Sequence, residues 1–333
     1  TTSGGSSNPK NTSGTNNQVK GVDEADFVKN DGHYIYLAQN GVLRIVEGWP
    51  AESTKQISVT ALEGTPKKLF VEGNRALVYV SVAKDQSKTG GYGYGYGGEC
   101  TYGYDCDFRG DGQGTKLLVY DLTDKTAPKL TRTIALSGSL IAARRIGGAV
   151  HTVVSDSVQA FPELTYYPTE NLCDYTWLPG IKQPPIWAVN KAKDAYEKVR
   201  TKNRELILGK DLSAILPSAT DTLAGAALDT NQLCKGLYRS PLLDGADFTT
   251  VVSVDMTKDE PITSASVLSR PGAVYASGEA LYMAVRQESS YCYGWYDGYD
   301  KQEELSSIHK FAINDSVTAT KYIGSGLVKG HAL

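Results

Sequence analysis

The sequence predicts an all-β fold, a β-propeller of about four blades with an α-helical insertion, and three observations predict it. Short apolar runs with period-two alternation recur from Phe27 onward, separated by turn residues. A unit of four such runs repeats along the chain. The third run of each unit ends in a similar polar turn: KLLVYDLTDKTAPKL, TVVSVDMTKDEPIT and HKFAINDSVTATK. A β-sandwich, the competing all-β reading, predicts no such repeat.

Taken in order, residues 1–20 read as a flexible tether. Thr1 to Asn17 is rich in Ser, Thr, Gly and Asn and lacks the apolar residues needed to bury surface. Residues 21–160 read as propeller blades. Residues 34–37 and 42–46 form the first runs, joined through Asn40-Gly41, a strong hairpin signal. The first repeated unit follows at 68–71, 76–82, 116–121 and 129–134. The second begins at 141–145 and 150–154, is interrupted, and resumes at 250–255 and 262–267. The third occupies 273–276, 280–285, 307–313 and 318–323, so residues 248–333 read as blades again.

The interruption, 161–247, reads as a helical insertion within the second repeated blade. In Asn190 to Leu208 the residues Ala192, Ala195, Tyr196, Val199, Leu206 and Ile207 are spaced for a helix, and Gly209 stands at the C-cap position. Residues 212–216 suit a second short helix before Pro217.

Composition narrows the function classes. Among 333 residues, 34 Lys+Arg face 37 Asp+Glu, for a net charge of -3. No basic patch or acidic tail points to nucleic acid. No apolar run approaches the roughly 18 residues of a membrane helix. Five cysteines are present, none in a C-x-x-C pair, which argues against structural zinc and thioredoxin-type chemistry. Cys100 and Cys106 suit a local disulfide, and Cys173 and Cys234 bracket the insertion. Closing that loop would contribute roughly 4 kcal/mol. Cys292 is left unpaired. Reduced, buried thiols are the alternative; an oxidising compartment fits the pairing better.

Two loops carry unusual aromatic content. Gly90 to Gly114 holds five Tyr and ten Gly, including Tyr92, Tyr94, Tyr96, Tyr102 and Tyr104. The loop Tyr291 to Tyr299 holds Tyr293, Trp295 and Tyr296 in the corresponding position of the third unit. Both are expected on one propeller face. Exposed Tyr and Trp suit glycan, peptide or protein recognition, and a self-packed cap is the alternative. A formal G-x-G-x-x-G at Gly93, Gly95 and Gly98 lacks the following helix that phosphate binding requires.

Asp105, Asp107 and Asp111 lie close together, with Gly110 at a turn position, but Arg109 takes a ligand place and no Glu stands twelfth. An irregular calcium site and a solvated acidic turn both remain open; no other cofactor is suggested. The acidic cluster Asp23, Glu24 and Asp26 reads by default as carboxylates that pair with Lys or Arg and satisfy turn amides. Ser81 and Lys84 match S-x-x-K at a strand end, where the serine mechanism expects a helix. The four histidines show no metal-ligand spacing, and no nucleophile elbow, Walker loop or H-E-x-x-H occurs. Catalysis therefore finds little support, though propeller sites assemble from separate blades.

At Asn16 to Tyr36 the residues become specific: NNQVKGVDEADFVKNDGHYIY. This opening resembles that of a family of secreted bacterial and archaeal proteins of unknown function named for a β-propeller domain. The similarity continues through LLVYDLTDKTAPKL, TTVVSVDMTKDEPIT and SSIHKFAINDSVTATKYIG. The resemblance implies a propeller larger than the blades present here, completed by further blades of the same protein or by further copies of the chain. With the tether, it also implies an extracellular or cell-surface location, with lipid anchoring as a variant. The function expected is binding or scaffolding for a protein or polysaccharide partner. A hydrolase or lyase acting on the axis and a calcium-dependent structural module are the rivals.

Overall fold

The computed structural model describes residues 17–83, 108, 110–157, 163–172, 185–211, 215–223, 226–227, 236–242, 244–287 and 305–330. Asp23–Glu24 (β1) opens the strands. The first four-stranded sheet follows in chain order: Val28–Asn30 (β2), Tyr34–Gln39 (β3), Val42–Glu47 (β4) and Lys55–Ala61 (β5). Asn40 and Gly41 join β3 to β4 with φ of 53° and 75°, the double left-handed turn that Asn-Gly favours. Sequence alternation shows only the two central strands. Residues 28–30 are too few, and residues 55–56 too polar, to declare the outer pair.

The second sheet is Thr65–Glu72 (β6), Arg75–Val82 (β7), Gly114–Asp121 (β8) and Lys129–Leu136 (β9). The third begins with Ser139–Ile146 (β10) and Ala149–Asp156 (β11). The chain then passes through Ile186–Leu208 (α1), Ala219–Asp221 (β12), Ala226–Ala227 (β13) and Leu237–Arg239 (β14). It returns as Phe248–Asp255 (β15) and Thr263–Leu268 (β16). The fourth sheet is Ala273–Ala276 (β17), Ala280–Arg286 (β18), Leu305–Ala312 (β19) and Lys321–Lys329 (β20). The final strand starts later and runs longer than alternation suggests, because residues 317–319 form a 3-10 turn.

Every four-stranded set is antiparallel with nearest-neighbour order. Three apolar cores lie between successive blades. Tyr36, Leu43 and Ile45 of the first meet Leu69, Val78 and Leu118 of the second. Phe70, Tyr79 and Leu117 meet Leu140, Val150 and Val252 of the third. Ile141, Val153 and Val251 then meet Leu281, Met283 and Phe311 of the fourth. The central strands β7, β11 and β15 are therefore buried on both faces.

The repeated polar turns have one construction. Oδ1 of Asp121, Asp255 and Asn314 each accepts the amide two residues on, from Thr123, Thr257 and Ser316, at 2.8 Å. A neighbouring amide, of Leu122 or Met256 one residue on and of Ile313 one residue back, donates to the first hairpin turn of its own blade at Asn74, Gly148 or Glu279. The side-chain bond, common to the three, favours Asp or Asn at each turn.

The chain divides into two compact units, 1–84 with 95–158 and 216–333, and 85–94 with 159–215. In the second, α1 follows Pro185 and ends at Gly209, whose amide bonds Glu205 O at 2.9 Å. Gly209 stays in the right-handed region, φ -81°. Asn203 binds both the amide and the carbonyl of Thr165, at 3.2 and 2.7 Å, holding the preceding segment along the helix. Residues 212–214 of the expected second helix lie outside the described residues. Beyond residue 215 the insertion contributes to the blades. β12 extends the second sheet beside β9, and β14 pairs parallel with β16 of the third.

Gly272 precedes β17, where a Cβ would stand 2.0 Å from the Ala284 carbonyl oxygen. Gly272→Ala is expected to cost about 1–3 kcal/mol through backbone displacement, read as a lower urea midpoint.

Candidate functional site

The most distinctive sequence segment becomes a strap along the inner strands. β1 lies antiparallel on the free edge of β10, with Asp23 opposite Arg145 and Glu24 opposite Arg144. Three residues after Asp23, Asp26 exchanges both backbone bonds with Leu69 of β6. The chain thus steps from the third blade to the second. Its apolar residues follow that path: Val22 enters the core between the third and fourth blades, and Ala25 packs against the core between the second and third.

The acidic residues face the polar side. Asp23 Oδ1 accepts Lys29 Nζ from β2 at 2.7 Å, and Oδ2 accepts Arg145 Nε and Nη2 at 3.3 and 3.2 Å. Lys29 Nζ also donates to Glu24 O at 2.5 Å. Arg145 further pairs with Glu72 and donates to Gly147 O at 3.1 Å. Glu24 lies 3.5 Å from Arg144, whose Nη2 donates to Val274 O of β17 at 3.2 Å. Burial lowers the Arg144 guanidinium below its ordinary pKa, and Glu24 opposes the shift. One segment therefore bonds to the first strands of three blades and reaches the fourth through Val22 and Arg144.

Beside it lies a cavity of about 430 Å³, lined by Asn17, Gly21, Asp23, Lys29, Asn30, Asp31, Val71, Glu72, Gly73, Arg145 and Gly147. Its residues come from the opening segment and from the first hairpins of the first three blades, at the end opposite to the second-to-third loops. Asp31 accepts the amides of His33 and Tyr34 at 3.0 and 2.7 Å and the Tyr36 hydroxyl at 2.7 Å. Burial and Asp31 push the Tyr36 hydroxyl well above the usual phenol range. Each of these carboxylates is committed to a donor. The cavity offers polar contacts, but it shows no carboxylate pair placed for acid–base work.

Asp23, Glu24 and Asp26 thus take the roles the sequence suggests, ion pairing and turn satisfaction. Asp111 Oδ2 accepts Ser81 Oγ at 2.5 Å and lies 3.0 Å from Lys67 Nζ, while Oδ1 accepts the Gln113 amide at 3.0 Å. Burial works to raise its pKa, but these hydrogen bonds together hold it below the ordinary carboxylate value. Asp105 and Asp107, the aromatic residues Tyr92, Tyr94, Tyr96, Tyr102, Tyr104, Tyr293, Trp295 and Tyr296, and all five cysteines lie outside the described residues. The strands that carry the two aromatic loops close at Val82 opposite Gly114 and at Arg286 opposite Ser306, the same connection in the second and fourth blades. Among the described residues no group of three or more His, Cys, Asp or Glu is placed to hold a metal ion.

Sequence reading misses the buried polar ties between blades. His309 Nε2 meets Asp244 Oδ2 at 2.7 Å, and its Nδ1 meets the Tyr322 hydroxyl at 3.1 Å. His151 Nδ1 meets Ser253 Oγ and its Nε2 meets Asn314 O, both at 2.7 Å. The only signal in the sequence is a histidine at an inward position of an apolar strand.

Four-stranded antiparallel sheets stacked face to face, their first strands gathered around one axial segment, define a β-propeller. The comparison agrees with this class: the chain matches the family described as Beta propeller domain over residues 12–333, and it belongs to that family. No curated protein matches it.

Proposed function

We propose that the chain is a binding and scaffolding part of a propeller that works at the cell surface or outside the cell, and that its protein partner presents a further blade-like sheet. One observation carries this reading. Inner-blade strands are buried on both faces, but β3 and β18 of the terminal blades are buried on alternate residues only. On the first blade Ile35 and Leu37 are half-buried where Tyr36 and Ala38 are fully covered, and Phe27 and Val59 are exposed. On the fourth, Tyr275 stacks beside Tyr282 at 6.4 Å on the face away from Met283, and Ile323 and Val328 are exposed. These faces repeat the chemistry of the three inter-blade cores without a covering sheet among the described residues.

The polar opening and the cysteine spacing support export. The Tyr-rich loops support a polysaccharide ligand as the variant. Among the described residues no helix is long and apolar enough to cross a membrane. A hydrolase or lyase reading gains nothing from the axial carboxylates, which are all ion-paired or hydrogen-bonded. The calcium reading must contend with an Asp111 already bound to Ser81, Lys67 and Gln113.

Sedimentation of the purified chain over a range of concentrations tests the proposal. Reversible self-association that Ile323→Glu with Val328→Glu weakens at least about tenfold is expected. A monomer at all concentrations that also fails to bind an apolar dye would overturn it.

A further inference from the structure

We infer that Gly21 to Asp26 is an axial clamp, an element that fixes how the four blades sit around their axis rather than a local turn. Five contacts from six residues reach every blade. Asp23 binds Lys29 of the first blade at 2.7 Å, and Asp26 bridges Leu69 of the second. Asp23 and Glu24 pair with Arg145 and Arg144 of the third. Val22 enters the core shared with the fourth, and Arg144, held by Glu24, donates to Val274 O there.

The physical argument is one of redundancy. In stacked blades each sheet is fixed only by its neighbours, so an error in one stacking angle is carried to the next. A closed ring removes that freedom by joining the last blade to the first. Here no apolar core joins the fourth blade to the first among the described residues. A segment that bonds to three inner strands, and reaches the fourth blade through Val22 and Arg144, supplies a second, independent constraint. The choice of residues fits this task. Val22 and Ala25 are small enough to enter two different cores near the axis. Asp23 reaches basic residues on two separate blades, Lys29 of the first and Arg145 of the third, and the backbone supplies both strand pairings. A turn with only local duties would need none of the contacts to β2, β6 or β17.

Hydrogen exchange on the full chain tests this with Asp23→Ala and, as a milder change, Asp23→Asn. The clamp predicts that amide exchange rises roughly tenfold together in β2, β6, β10 and β17, including blades that gain no new residue. The outer strands β5 and β20 should change little. Faster exchange confined to β1 and its partner β10 would show a local ion pair and overturn the inference. Val22→Ser supplies a second arm without altering charge: it should raise exchange in β2 and β6 as well as in β17, and an effect limited to the third and fourth blades would also count against the clamp.

Discussion

Asp221→Ala is expected to destabilise the protein by about 3–5 kcal/mol, because it strands a buried guanidinium. Arg132 on β9 is 2% exposed, and its Nε and Nη2 donate to Asp221 Oδ1 and Oδ2 at 3.0 and 2.6 Å. Nη2 also donates to Glu260 O at 2.8 Å, while Nη1 is buried without a partner among the described residues. The guanidinium is therefore incompletely satisfied among the described residues even with the carboxylate in place. The pair also anchors β12, where Ser137 N bonds Ser218 O and Thr222 N bonds Thr133 O, both at 3.0 Å. Loss of the carboxylate should loosen that strand first. Replacing both partners, Arg132→Met with Asp221→Leu, should recover most of the loss, since an apolar pair leaves no buried charge. Urea denaturation of the two single variants and the double variant measures this. A cost below about 1 kcal/mol for Asp221→Ala would mean that Arg132 finds water, as exposed pairs do.

That pair shows where sequence reading stops. Strands such as residues 76–82 and 250–255 are legible because an apolar run flanked by turn residues has one economical structure. The repeat is legible because Asp121, Asp255 and Asn314 each accept the amide two residues on, a bond that short Asp and Asn side chains supply. β12, β13 and β14 are invisible by comparison: two or three residues carry no period, and they become strands only because β9 and β16 offer free edges. The candidate site divides in the same way. The acidic opening stands out as a motif, and its carboxylates suggest ion pairing. Which cations they meet depends on residues such as Arg145, 122 positions away. The propeller topology brings those together, and no local pattern encodes it. The aromatic loops stand out by composition, whereas the role of the axial strap lies in where the fold places it.

Stability should fall by about 3 kcal/mol between pH 6.5 and 4 through one residue, His151. Its ring is fully buried in β11, and burial lowers its pKa from 6.5 to about 4, only partly offset by the hydrogen bond to Asn314 O. With Nε2 donating to that carbonyl, Nδ1 is left as an acceptor for the Ser253 hydroxyl, so the neutral ring satisfies both partners. Protonation would turn Nδ1 into a donor and place a charge in the interface between the third and fourth blades. The sign follows from linkage. Between pH 6.5 and 4 the unfolded chain binds a proton that the folded chain refuses, so stability rises with pH across that window and levels off below it. Asp121 and Asp124 have pKa values lowered by Thr123 and Thr126, so their contributions are lost mainly below that window. Urea midpoints at half-unit pH steps, for the natural chain and His151→Asn, separate the terms. The variant should be less stable at pH 7, where Asn314 O or Ser253 loses its partner, yet its profile should be flatter between pH 6.5 and 4. Parallel profiles would show that His151 is not the group titrating.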